Sequence, residues 1–119
     1  MKRALVLFAH GSRDPRWARP FESLAARLSK KFLVRLAYLE IMKPSLGEAV
    51  SALAAAGARS VRVVPLFLGP GGHVKDDLPR LVAAVRRAHP ELELVLEKPI
   101  GEQQKVLAAI AAAIAAGVK

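Results

Sequence analysis

The stretch VRVVPLFLGPGGHVKDDLPRLVAAVRRAH, residues 61–89, carries two periodicities back to back. VRVVPLFL, 61–68, is an apolar run of strand length, which suits a strand covered on both faces. Its Pro65 donates no ladder hydrogen bond and marks a local irregularity. From residue 78 the apolar residues recur at helical spacing. Asp76 and Asp77 suit the positive end of that helix, which runs to about His89. Between the two lies a loop, Gly69-Pro70-Gly71-Gly72, with His73 just before the helix. Strand, glycine loop and helix make one step of a parallel α/β fold.

The flanking sequence repeats that step. RALVLFA, 3–9, is a second apolar run of strand length, and LVRLAYL, 33–39, a third. Asp14-Pro15 is a cap followed by a first-turn proline and opens a helix through about Lys31. Pro20 breaks a helical bond inside that segment, so the helix kinks there or begins near Arg19. Ser45 and Glu48 have capping-box spacing and Gly57 is a natural stop, giving a helix over 45–56. LELVLE, 92–97, alternates as a more exposed strand, and a last helix fills about 101–116. The order βαβαβαβα with short connections predicts one domain over 1–119. Its fold class is α/β: a flavodoxin-like, doubly wound, four-stranded parallel sheet in the order 2-1-3-4 with helices on both faces.

Composition narrows the class of partner. A hydrophobic fraction of 53% over 119 residues fits a single globular core. The chain has no cysteine, which excludes disulfides, thiolate metal sites and cysteine nucleophiles. The apolar run of MKRALVLFAHGSRD stops at His10 with no small-residue cleavage site after it, so it is not read as a signal peptide. No segment reaches the ~20 apolar residues of a membrane span. A cytoplasmic chain without membrane attachment is expected. Nineteen Lys and Arg against ten Asp and Glu give a net charge of +9, a field that attracts anions. The basic residues are scattered and only six residues are aromatic, so no single-strand stacking platform forms and nucleic acid is not expected. A small polyacidic ligand fits the charge equally well.

In doubly wound sheets, ligands bind beyond the carboxyl ends of the strands at the switch point. Here that edge receives His10-Gly11-Ser12-Arg13 from the first strand, Glu40 from the second and His73 from the third. Adjacent strands lie ~4.8 Å apart, so side chains from all three reach one ligand. Two imidazoles and a carboxylate suit a borderline divalent metal with open coordination positions. The same imidazoles accept protons near neutral pH. The glycines let the backbone approach a large flat ligand. Simpler readings compete. A lone loop histidine is usually a surface residue, Glu40 could merely end a strand, and Ser12 and Arg13 could be a cap and a surface charge. His89 reads as a charge at a helix's negative end, and Trp17 as packing near the start of the first helix. Neither the Walker nor the Rossmann glycine pattern is present, nor a GxSxG elbow. A phosphotransfer enzyme using His10, Arg13 and His73, and a flavodoxin-like binding module, remain alternatives.

LVLFAHGSRDPR, AYLEIMKPSL and VVPLFLGPGGHVKDDLP together, over roughly residues 3–100, resemble the half-length sirohydrochlorin chelatases of the CbiX type. These are class II chelatases related to ferrochelatase. HGSRDP combined with PLFL-x-x-GGHV-x-x-D is specific, whereas either half alone is weak. The resemblance implies insertion of a divalent metal, usually Co²⁺, into sirohydrochlorin on the anaerobic route to cobalamin. Relatives insert Fe²⁺ or Ni²⁺, and the metal is a substrate, with no organic cofactor. By position, His10 and His73 match the metal-handling and catalytic histidines, and Glu40 their acidic partner. Ser12, Arg13, Gly71 and Gly72 match residues lining the tetrapyrrole. Pro70 and Pro20 depart from the pattern. A polycarboxylate tetrapyrrole gives the positive charge a purpose. Because longer relatives join two such halves in one chain, a homodimer is expected.

Overall fold

The computed structural model describes residues 3–69 and 72–118, and from Gly72 to Lys75 the backbone alone. Its elements are β1 (Ala4–Ala9), a 3-10 turn (Pro15–Ala18), α1 (Arg19–Leu28), β2 (Leu33–Tyr38), α2 (Leu46–Ala55) and β3 (Ser60–Pro65). Then come α3 (Gly72–Ala88), β4 (Glu93–Leu96), a second 3-10 turn (Ile100–Glu102) and α4 (Gln104–Gly117). The four strands are all parallel in the order β2-β1-β3-β4. This is the expected doubly wound sheet.

Alternation along each strand divides the sheet into two faces. Ala4, Val6 and Phe8 of β1 join Val61 and Val63 of β3 and Leu94 of β4 on one face. There they meet Val50 and Leu53 of α2 and Leu78, Val82 and Val85 of α3 in one buried cluster. On the other face α1 covers β2 and β1, with Trp17 stacked at 4.7 Å from Phe21 and 6.1 Å from Tyr38. β1 thus loses water on both sides, as its unbroken apolar sequence requires, whereas β3 alternates and leaves Ser60 and Arg62 exposed on its second face.

The capping devices behave as their residue types dictate. Ser45 Oγ accepts the Glu48 N–H at 3.2 Å while the Glu48 carboxylate accepts the Ser45 N–H at 2.9 Å. Gly57 ends α2 at φ 99°, a left-handed turn only glycine adopts freely. α1 begins at Arg19, so Pro20 occupies its first turn, where a missing N–H interrupts nothing.

Four boundaries differ from the expected ones. The last helix begins at Gln104, after a separate 3-10 turn, rather than near residue 101. α1 ends at Leu28 rather than near Lys31. β3 ends at Pro65 rather than residue 68: Leu66 still donates to the Phe8 carbonyl at 2.8 Å, after which the chain turns away. α3 opens at Gly72, so His73 belongs to its first turn and the acidic pair 76–77 lies further along. α3 also runs through Pro79, forgoing one internal hydrogen bond.

Candidate functional site

β1 and β2 are paired from Ala4↔Leu33 to Ala9↔Tyr38. Their ladder continues one step beyond the strands, with Leu39 N–H donating to Ala9 at 2.9 Å and Glu40 N–H to His10 at 3.1 Å. His10 and Glu40 therefore leave the sheet side by side, and His10 Nε2 lies 3.0 Å from Glu40 Oε1. The two side chains remain 49% and 56% exposed, so an incoming ligand reaches both.

Backbone geometry holds this pair in place. Gly11 sits at φ 104°, and a Cβ built on it would strike the Glu40 carbonyl. Only glycine lets the two loops cross so closely. Ile41, the residue after Glu40, has φ 70°, a left-handed conformation that a β-branched side chain adopts only under strain. Met42 N–H donates back to the Glu40 carbonyl at 2.7 Å, and Tyr38 N–H to Pro44 at 2.9 Å, closing the loop. Burial, and secondarily the Glu22 charge, raises the Tyr38 hydroxyl pKa above its ordinary value.

Ser12 and Arg13 take different parts. Ser12 is half-buried and its Oγ accepts the Asp14 N–H at 3.1 Å, shaping the turn. Asp14 then caps the first 3-10 turn by accepting the Arg16 N–H at 2.9 Å, and the Arg16 guanidinium forks onto its carboxylate. Those bonds hold the Asp14 carboxyl below its usual range. Arg13 is exposed at the same edge. Of the residues assigned to the third loop, Gly72 opens α3 and His73 follows it in the helix's first turn. The His73 side chain, Gly71 and Pro70 lie outside the described residues. Among the described residues no group of three His, Cys, Asp or Glu is close enough to hold a metal. His10 and Glu40 supply two donors.

Periodicity could not mark several features of this edge. Ile41 and Leu68 are 61% and 73% exposed, two large apolar side chains in loops that follow β2 and β3. Gly101, buried in the second 3-10 turn, donates its N–H to Phe67 at 2.9 Å, and a Cβ there would strike the Leu68 backbone. That contact braces the start of the loop leading to His73. His89 lies away from this edge, where its Nε2 meets Ser51 Oγ at 3.0 Å, tying the end of α3 to α2.

The sequence profile of the CbiX family matches residues 4–116. A sirohydrochlorin cobaltochelatase of Saccharolobus solfataricus is 38% identical over 109 residues, covering 86% of this chain and 85% of its own. One from Priestia megaterium is 30% identical over 88% of this chain, which spans 35% of that longer protein. Among solved structures, a putative cobalamin biosynthesis CbiX protein from Marinobacter aquaeolei VT8 superposes with a TM-score of 0.85 at 32% identity, covering 98% of this chain and 94% of that one. The sirohydrochlorin chelatase SirB from Bacillus subtilis subspecies spizizenii, in complex with cobalt, superposes at 0.82 with 25% identity, covering 98% of this chain and 51% of that one. The profile match, the two coextensive relatives and the shared fold lead to one assignment: the chain belongs to the CbiX family of metal-inserting chelatases.

Proposed function

We propose that this protein inserts a divalent metal, Co²⁺ before Fe²⁺ or Ni²⁺, into sirohydrochlorin, at the edge formed by His10, Glu40 and His73. The observation that carries the reading is the exposed His10–Glu40 pair, 3.0 Å apart at the carboxyl ends of adjacent strands. Insertion requires the pyrrole N–H protons to leave while the ion exchanges protein and water ligands for ring nitrogens. A neutral imidazole does both tasks, holding an ion through its ring nitrogen or accepting a proton there. Two or three donors hold the ion loosely enough to release it, and Glu40 orients the His10 ring as a carboxylate neighbour does. His73 supplies the second imidazole from the first turn of α3. Ile41 and Leu68 give the flat faces of the macrocycle apolar contact, and Arg13 and the overall positive charge attract its carboxylates. Gly71 and Gly72 leave room for its approach.

A curated relative named for cobalt supports cobalt as the metal, and a SirB structure with Fe³⁺ supports iron as the second choice. Affinity for such ions follows the metal series more than the site, so metal supply selects among them. A homodimer belongs to the same reading, since the SirB chain is about twice as long as this one. Mixing the purified protein with sirohydrochlorin and Co²⁺ tests the activity: the tetrapyrrole absorption should change faster than in protein-free solution. An unchanged rate overturns the assignment.

A further inference from the structure

At the carboxyl edge of the sheet, three acids are engaged within the chain and leave cations beside them unmatched. The Asp14 carboxylate is forked by Arg16 at 2.9 Å, and Glu97 meets Arg62 at 2.8 Å. Glu48 accepts the Ser45 N–H at 2.9 Å. The neighbours of these acids are Arg13, Lys98 and Lys43, all exposed. The Glu48 carboxyl is held low first by its Ser45 hydrogen bonds and least by the charge of Lys43. Among the described residues, none of the three cations forms an ion pair.

Each of them follows a different strand: Arg13 follows β1, Lys43 follows β2 and Lys98 follows β4. Register sets their height on the sheet. The Pro44 carbonyl accepts the Tyr38 N–H at 2.9 Å, which brings Lys43 back level with the end of β1 at Ala9. Leu96 pairs with Val63, and Val63 with Val6. The Glu97 N–H still donates to Val63 at 2.9 Å, so Lys98 leaves β4 close to the level of Phe8. β2 and β4 are the outer strands, three steps of ~4.8 Å apart, so the two lysines leave the sheet about 14 Å from one another. His10 and the exposed Leu68 follow the two strands between them. A flat ring centred over His10 therefore has one ammonium on either side. An isolated surface ion pair contributes little. Two on one rigid ligand reinforce each other, because the second forms within a complex already made. The flexible lysine stem also suits carboxylates carried on mobile arms.

We propose that Lys43 and Lys98 clamp carboxylates on opposite sides of one tetrapyrrole, selecting rings acidic around the whole rim over rings acidic at one edge. The proposal rests on the tetrapyrrole reading above, but not on metal insertion.

Fluorescence titration with two metal-free porphyrins tests it. Uroporphyrin is an octacarboxylate with acids all round the ring, and mesoporphyrin a dicarboxylate with both acids on adjacent pyrroles. The natural chain should bind uroporphyrin the more tightly. Lys43→Met and Lys98→Met keep the stem and remove the charge, and each should raise the uroporphyrin Kd about 5-fold. The double variant should raise it about 25-fold, since the two positions are far apart. Mesoporphyrin reaches only one lysine at a time, so either single variant should bind it as the natural chain does. Lys43→Arg and Lys98→Arg should retain uroporphyrin binding. Lys31→Met removes a charge ahead of β2, at the other end of the sheet, and should change neither affinity. In chelation, KM for sirohydrochlorin should rise by the same factors at unchanged kcat. Native uroporphyrin affinity in the double variant, equal losses for both porphyrins, or a natural chain that binds no uroporphyrin would each overturn the clamp. A double variant that inserts Co²⁺ with native KM also overturns it and leaves the chelatase reading standing. A natural chain that binds uroporphyrin through both lysines yet inserts no metal supports the clamp and overturns the chelatase reading.

Discussion

At the scale of single residues, His10 meets Glu40 without being buried by it. If His10 handles metal or proton, His10→Ala should lower chelation by about 10²–10⁴-fold over the spontaneous background, and His73→Ala should do the same. His10→Ala should stay folded, since an exposed position beyond a strand end shifts stability by roughly 0.5 kcal/mol, and circular dichroism would check that both variants are folded. Glu40→Gln should reduce the rate less, because it weakens one proposed ion ligand and the hold on the ring but leaves the imidazole in place. His89→Ala is the internal control: its bond to Ser51 joins α2 to α3, and chelation by a folded variant should be unchanged. A folded His10→Ala protein with native rates would exclude the role given to that residue. Gly11→Ala attacks the same site through the backbone. Its φ of 104° and the Glu40 carbonyl in the Cβ position make a cost of about 1–3 kcal/mol expected, with chelation lost as Glu40 shifts. Thermal unfolding and a chelation assay on one preparation would check both parts.

At the scale of elements, the capping box on α2 carries a pH signature. Backbone and side-chain hydrogen bonds from Ser45 hold the Glu48 carboxyl below its usual 4.5. A depressed folded pKa contributes stability that is present above the unfolded pKa and lost as pH falls through the folded one. The unfolding temperature should therefore decline between about pH 5 and pH 3. Glu48→Gln should flatten that decline relative to the natural chain, and equal slopes for the two proteins would count against the capping contribution. The second 3-10 turn acts on the site from outside it. Gly101→Ala should displace Leu68 and lower the chelation rate while His10 and Glu40 stay in place, measurable as a rate loss with an unchanged dichroism spectrum. Elements also show where local reading succeeds. Asp14, Ser45, Gly57 and Pro20 are legible because each acts on the backbone next to it. The start of α3 was misread because Gly71-Gly72 resembles a loop locally, whereas the helix extends back to Gly72. The end of β3 was misread because an apolar run does not record that Phe67 and Leu68 turn to meet Gly101.

At the scale of the whole molecule, the dimer reading predicts a particle of twice 12.8 kDa by light scattering at micromolar concentration, and a 12.8 kDa particle would exclude it. Among the described residues no helix is long and apolar enough to cross a membrane. The sequence by itself determined the element order, the parallel sheet and its 2-1-3-4 arrangement, because buried runs, caps and handed crossovers are local or nearly local constraints. It also named His10 and Glu40 as neighbours, because strand-end residues of adjacent parallel strands must emerge together. Only the tertiary structure decided that Gly11 underlies Glu40, that Ile41 is strained and that Gly101 braces the third loop. Those facts depend on which distant backbone lies opposite a residue, and contacts between segments tens of residues apart leave no period in the chain that makes them.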